Sequence, residues 1–357
     1  MWNQQRYEDA VQLLKMLIST PSFSKEEDGT AAILANFMEQ HGVQYNRHLN
    51  NIWALNRHFN PAKPTILLNS HHDTVKPNPQ YTRDPFDPAV EDGKLFGLGS
   101  NDAGGCLVSL IAAFLHFYET ENLPYNIAIA ATAEEEISGV NGIESILHLL
   151  PQIDFAIVGE PTKTDLAVAE KGLMVLDCVA HGKAGHAARD EGDNALYHAL
   201  DDINWFRNYR FPNVSDTLGP VKMSVTVIHT SNKAHNVVPA ECSFVVDCRA
   251  TDQYTLEEML ETIRANVKCD VKPRSMRMRP SFIPKEHPLV QAGIGLGKQL
   301  YGSPTTSDQA LIPATSVKVG PGDSARSHSA DEFIYLDEIR QGIDTYIRLL
   351  SVVNGVL

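Results

Sequence analysis

The sequence predicts an α/β protein interrupted by an α+β insert, and three observations carry that expectation. Short apolar runs alternate with helical periodicities, and their brevity marks them as buried strands rather than helices. They are Thr65-Ile66-Leu67-Leu68, Ile127-Ala128-Ile129-Ala130-Ala131 and Phe155-Ala156-Ile157-Val158. Each leads into imidazole or carboxylate side chains: His71-His72-Asp73, Glu134-Glu135-Glu136 and Glu160. From 172 to 280 the pattern changes to period-two strands at 175–181, 221–228 and 244–248, with helical stretches at 194–208 and 256–266. Two helices on an antiparallel sheet make a small α+β unit, after which the α/β pattern resumes.

The remaining elements follow in order. A helix is expected over 5–19, with Val11, Leu14 and Ile18 on one face and Pro21 beyond its end. Ser24-Lys25-Glu26-Glu27 has the form of a capping box opening a second helix, which carries Ala31, Leu34 and Met38 and stops at Gly42. Strands at 43–45 and 52–55 precede the one entering His71. A loop over 76–92 contains Pro77, Pro79, Pro85 and Pro88, and loops of that length inside domains are usually functional or disordered. The glycine-rich stretch from Gly97 to Gly105 leads into an apolar helix over 106–118, with Asp102 at its start. After the insert come a helix at 288–301, a strand at 315–319, the turn Gly320-Pro321-Gly322 and a last helix at 336–352. No internal repeat or low-complexity tract is visible.

Composition narrows the function classes. At 357 residues the chain exceeds one ordinary core, so two domains are expected: 1–171 with 281–357, and 172–280 between them. Hydrophobic residues make up 43% and charged residues 21%, as in soluble globular proteins. The net charge of −14 argues against nucleic acid and anionic membranes as partners. No bilayer-spanning run and no signal-like N-terminus is visible. The five cysteines are scattered without a CxxC pair, which suits reduced thiols in the cytoplasm.

The chemistry concentrates at the strand ends. His71 and Asp73 are two apart, so on extended chain they point to the same side, where Asp73 can hold the second nitrogen of a metal-binding imidazole. His71, Asp102, Glu136 or Glu135, Glu160 and His328 would form an oxygen- and imidazole-rich site suited to zinc, cobalt or manganese. A pair of such ions needs a bridging carboxylate, and an adjacent free carboxylate can act as general acid/base. Each feature has a plainer reading: Asp102 as an N-cap, the glutamates as a solvated charge run, the histidines as incidental. Three strands ending on ligand-type residues outweigh those readings, because sites in open α/β sheets form beyond the carboxyl ends of strands.

The motifs resemble the two-zinc amidohydrolases that include acetylornithine deacetylase, succinyl-diaminopimelate desuccinylase, aminoacylase and the glutamate carboxypeptidases. The resemblance rests on His71-His72-Asp73-Thr74-Val75, Gly97-Leu98-Gly99-Ser100-Asn101-Asp102, Thr132-Ala133-Glu134-Glu135-Glu136 and Gly159-Glu160-Pro161-Thr162. It continues through Gly182-Lys183-Ala184-Gly185-His186-Ala187, Asn236-Val237-Val238-Pro239, Asp247-Cys248-Arg249 and Arg326-Ser327-His328 to Asp331-Glu332. It implies a zinc-peptidase-like catalytic domain with a central mixed sheet flanked by helices, and an inserted lid and dimerisation domain. It also implies that Asp102 bridges two zinc ions, that His71 and Glu160 complete one site, and that Glu136 and His328 complete the other. Glu135 would be the general acid/base and Asp73 the partner of His71. His186 would reach the active site of the second subunit of a homodimer and stabilise the oxyanion, while Asn236 and Arg249 would hold a substrate carboxylate.

Four positions depart from the pattern: His72 where a small residue is common, Lys76 in place of proline, and Ala103-Gly104 after Asp102. On a strand His72 points away from His71, so a structural or supporting role is expected. Cys106 is expected to be a buried structural thiol. The activity implied is removal of an N-acyl group from an amino acid, with N-acetylornithine and arginine biosynthesis first. N-succinylornithine and N-acylcitrulline are close rivals, succinyl-diaminopimelate is a further alternative, and a dipeptide is a more distant one. A succinyl carboxylate could be met by Arg83, Arg189, Lys183 or Arg326. A metal- or peptide-binding relative without activity would lack a ligand or the base, and neither is missing.

Overall fold

The computed structural model describes residues 3–353. The chain divides into two units. The first comprises Met1–Val168, Phe282–Tyr301 and Ser307–Leu357, and the second Ala169–Ser281 with Gly302–Thr306. The short segment Gly302–Thr306, assigned from sequence to the outer domain, therefore clusters with the insert. Ser303 and Thr306 account for this: the Lys171 amide donates to the Ser303 carbonyl and Thr306 Oγ1 donates to the Lys171 carbonyl.

In the first unit the apolar runs form strands β1 (Tyr45–His48), β2 (Asn51–Leu55), β3 (Thr65–His71), β4 (Asn126–Thr132) and β5 (Phe155–Val158). The sheet runs β1-β2-β4-β3-β5, then Thr315–Lys318 and Leu166–Glu170. β4, β3, β5 and Thr315–Lys318 are mutually parallel, while β1, β2 and Leu166–Glu170 are antiparallel to their neighbours. The sheet is thus mixed. Successive strand residues point to opposite faces, and both faces are covered. Ile66, Leu68, Ile127 and Ile129 pack with helices α1 (Gln4–Ile18), α2 (Asp28–Gln40), α3 (Gly105–Phe117) and the last helix, Leu336–Val353. Leu67, Ala128, Ala130 and Ala156 face Ile143, Ile146 and Ile312. Burial on both sides is why these strands read as unbroken apolar runs rather than as alternation.

The second unit is an antiparallel sheet of β6 (Gly172–His181), β7 (Lys222–His229), β8 (Glu241–Ala250) and β9 (Asp270–Pro273), in the order β7-β8-β6-β9. Alternate residues Met174, Leu176, Cys178 and Ala180 of β6, with Phe244, Val246 and Cys248 of β8, bury against α4 (Ala195–Asn208) and α5 (Leu256–Asn266). Thr255 and Glu258 form the capping box of α5. All five cysteines are free and buried, Cys106 included. No helix among the described residues is long and apolar enough to cross a membrane.

Three elements differ from the sequence reading. Ser24 caps nothing: α2 begins at Asp28 without a side-chain cap, and Ser24 Oγ donates to Asp73 Oδ2 at 2.7 Å. The helix at 288 ends at Gly295, because Gly297 takes φ +77° and the chain continues as a short strand, Leu300–Ser303. Asp102 precedes α3 in an irregular turn instead of starting the helix, with φ −119° and ψ 98°.

Candidate active site

The parallel strands bring their carboxyl ends to one edge of the sheet. His71 is the last residue of β3, Glu135 and Glu136 follow β4 in a 3-10 turn, and Glu160 lies just beyond β5. The loop after Thr315–Lys318 supplies His328, and the turn before α3 supplies Asp102. Parallel register of β3 with both neighbours, Asn69 opposite Ala130 and Val158, makes this convergence unavoidable.

The side chains meet. His71 Nε2 stands 3.4 Å from Asp102 Oδ1, 3.6 Å from Glu160 and 3.8 Å from Glu135. His328 Nε2 stands 3.0 Å from Glu136 and 3.7 Å from Asp102 Oδ2. Asp102 therefore faces an imidazole with each of its oxygens. His71 is 1% exposed, and its Nε2 has no hydrogen-bond partner among the described residues. A buried imidazole nitrogen aimed at three carboxylates without a bond to any of them is the signature of a position built for a cation. Among the described residues, two sets have ligand atoms within 4.8 Å of one another: His71, Asp102 and Glu136, and His71, Glu135 and Glu160. The donor set fits divalent cations of the zinc, cobalt or manganese kind.

Electrostatics point the same way. Burial pushes the carboxyl of Glu160 up to about 8, with the Asp102 charge adding to it against the pull of His71. Burial likewise raises Glu135 well above the usual range, His71 opposing and Glu160, Asp308 and Glu136 reinforcing. Burial opposes a charged His71, yet Glu135, Asp102, Asp73 and Glu160 together hold its pKa well above the usual value. So many acids in one small space need positive charge, from protons or from metal ions.

Asp73 does more than the sequence indicates. Its backbone carbonyl, at 3.0 Å, is the nearest partner of His71 Nδ1, while its Oδ1 lies at 3.4 Å. The carboxylate accepts from Ser24 Oγ and from the backbone amides of Glu135 and Glu136 at 3.1 and 3.2 Å. It ties the turn bearing the glutamates to the strand bearing His71. His72, buried and pushed down to about 4 by that burial, meets Thr30 Oγ1 and the Asn50 carbonyl, each at 2.9 Å.

The other expected residues lie in the second unit. His186 and Asn236 are neighbours there: His186 pairs with Val237, and the Ala187 amide donates to the Asn236 carbonyl at 2.9 Å. His186 Nδ1 accepts from the Ala188 amide at 3.1 Å. Arg249 sits apart from that pair on β8, its fork engaged by Asp247 at 2.8 and 3.0 Å and its Nη1 on Thr306.

Two carboxylates escaped sequence reading. Asp308, 3% exposed, accepts from Thr132 Oγ1 at 2.7 Å and from the Asn69 amide at 3.2 Å in the orientation that satisfies Asn69. Glu332, 2% exposed, accepts from the backbone amides of Gly99, Asn101 and Asp102. Asp308 follows a polar run that reads as ordinary loop, so nothing local marks it. Glu332 belongs to a recognisable motif, but only the fold reveals its partners.

Residues 67–352 match the model of peptidase family M20/M25/M40. The chain belongs to this family. Members similar to it include a succinyl-diaminopimelate desuccinylase of Delftia acidovorans, 25% identical over 96% of this chain and 97% of that protein. The enzyme of the same name from Acidiphilium cryptum is 27% identical, over 96% and 98%. Solved M20-type folds align along the whole chain. Aminopeptidase PepT from Bacillus cereus has a TM-score of 0.78 at 17% identity, covering 97% of this chain and 98% of that one. A dinuclear metal-binding M20 peptidase from Bacillus subtilis gives 0.76 at 15% identity, covering 99% and 100%. The M20/M25/M40 chain described here is accordingly a hydrolase with an α/β fold built on a central mixed sheet flanked by helices.

Proposed function

We propose that this hydrolase cleaves the amide of an N-acyl amino acid with the help of two divalent cations, an N-succinyl diamino acid being the leading substrate. The observation that carries the reading is the cluster of Asp102, Glu135, Glu136 and Glu160 around the otherwise partnerless Nε2 of His71, with His328 beside Glu136 and Asp102. Asp102 would lie between the cations, with His71 and Glu160 on one and Glu136 and His328 on the other. Zinc is the first choice, cobalt and manganese the substitutes. When bound, such cations polarise the amide carbonyl and acidify the attacking water.

The chain's own groups do the rest. Glu135 takes a proton from water and gives it to the leaving amine, and its raised pKa suits a carboxylate that must both accept and release a proton. Asp73 fixes Glu135 by holding its amide. His186 would stabilise the oxyanion, a role supported by its tautomer. With Nδ1 accepting from Ala188, the ring proton sits on Nε2, ready to be donated. Asn236 and Arg249 would bind a substrate carboxylate, Arg249 exchanging Asp247 for it.

Relatives named as desuccinylases support placing a succinyl group ahead of the acetylornithine and arginine-biosynthesis reading. Of the basic residues considered for its extra carboxylate, Arg83 is held by Glu91 and Arg326 by Glu338. That favours Lys183 and Arg189 of the second unit, Arg189 lying only loosely by Glu191 at 4.0 Å. A homodimer is supported by β7, an edge strand exposing Val227 and Ile228, and by Tyr197 and Leu200, both exposed on α4. We place the enzyme in the cytoplasm, acting on small molecules and not on nucleic acid. Amine release from N-succinyl-diaminopimelate, N-acetylornithine and N-acetylcitrulline on zinc-loaded protein tests the substrate. Preference for the succinyl compound is expected, and a preference for either acetyl compound would reverse the order.

A further inference from the structure

We infer that Glu332 is a positioning residue whose carboxylate fixes the turn carrying Asp102, and so sets the spacing between the two metal positions. The inference rests on the dinuclear reading above and extends it to a side chain outside the ligand set.

Four hydrogen bonds carry it. Glu332 Oε1 accepts from the amides of Asn101 and Asp102 at 2.8 and 2.9 Å, and Oε2 from the amide of Gly99 at 3.2 Å. The Glu332 carbonyl accepts from Gly97 at 3.0 Å. These amides lie in an irregular turn, with Gly99 at φ +75° and Asp102 at φ −119°, ahead of α3. The turn supplies them no helical partners, and Glu332 fills that need with both oxygens. Glu332 also lies four residues after His328, so one short segment delivers an imidazole to Asp102 Oδ2 while clamping the Asp102 main chain. Asn101 adds a second tie to the same region, exchanging hydrogen bonds with the Asp323 main chain at 3.0 and 3.1 Å.

A group that only completed the hydrogen bonding of a turn would affect folding and leave metal binding alone. A group that aims the bridging carboxylate would weaken cation binding, by the tenfold to hundredfold typical of residues supporting metal ligands. Glu332→Gln separates the two. It keeps the shape and one acceptor oxygen, and sets an NH2 group against one of the amide donors.

The test titrates chelator-stripped parent and Glu332→Gln with Zn²⁺ by calorimetry and with Co²⁺ by absorption, following urea unfolding of the metal-free forms in parallel. We expect two equivalents in the parent. In the variant we expect at least one equivalent to bind about tenfold or more weakly, with an altered Co²⁺ spectrum and urea stability close to the parent's. Affinities within about threefold of the parent for both equivalents, with an unchanged spectrum, would overturn the inference. A parent that fails to bind two equivalents would instead overturn the dinuclear reading. Should Glu332→Gln not fold, Glu332→Asp keeps the carboxyl group but shortens the reach, and the same outcomes apply to it.

Discussion

At the residue scale, adjacent glutamates share one turn but not one environment. Glu136 faces His328 at 3.0 Å, whereas Glu135 faces His71 at 3.8 Å and feels Glu160 and Asp308. That difference supports giving Glu136 the ligand role and Glu135 the proton-transfer role. Glu135→Gln should therefore retain both cations and lose about 10²–10⁴-fold in kcat, measured by steady-state turnover alongside metal analysis. Near-parental kcat would remove Glu135 from proton transfer. The sequence exposed these two residues because they follow an apolar strand. The residue pattern alone left them unranked and the family resemblance ranked them; the contacts that support that ranking, with His328 and Asp308, lie more than 170 residues away. Ser24 shows the opposite failure: its spacing to Glu27 suits a cap, and a long-range bond to Asp73 prevailed.

At the scale of elements, strand ends were legible and turns were not. β3, β4 and β5 declare themselves through continuous apolar runs, since both faces of a parallel sheet are buried. The turn at 99–104 carries no comparable pattern, and its shape depends on Glu332 and on glycine. Gly99 has φ +75°, and an added Cβ would come within 2.6 Å of Thr74 Cγ2. We expect Gly99→Ala to cost about 1–3 kcal/mol, read as a lower urea midpoint, and to weaken metal binding because Asp102 moves with the turn. A midpoint equal to the parent's would show that the turn tolerates the strain. Arg249 belongs at this scale too: the strand read from period-two alternation stopped at 248, one residue short of it, and its engagement with Asp247 two residues earlier appears only in the folded sheet.

At the scale of the whole molecule, the insert was legible as a change of period near 172, while the outlying segment at 302–306 was not, because its attachment rests on long-range bonds to the Lys171 main chain. The acidic cluster also makes stability depend on pH. Burial raises Glu160 and Glu332 to about 8 and Asp308 to about 6, and the Glu136 bond raises His328 to about 9. Without cations these groups hold protons in the folded chain that the unfolded chain releases at lower pH. Their stabilising contribution is thus present in mild acid and lost as pH rises through 6–9. Asp73 and Asp102, held below the usual carboxylate range, act in the opposite sense only in stronger acid. Chelated protein should accordingly show a falling urea midpoint from pH 5.5 to 8.5. Saturating zinc should remove the fall, adding about 2.7 kcal/mol per site at a hundredfold excess over Kd. A midpoint that rises with pH in the chelated protein would contradict this.

The most direct test of the central claim is hydrolysis of N-succinyl-diaminopimelate by one preparation before chelation, after it, and after titration with zinc. The account requires that activity vanish on chelation and return in proportion to metal, reaching its plateau at two equivalents. Hydrolysis that survives complete removal of metal, or protein holding two equivalents that turns over no N-acyl amino acid, would contradict it.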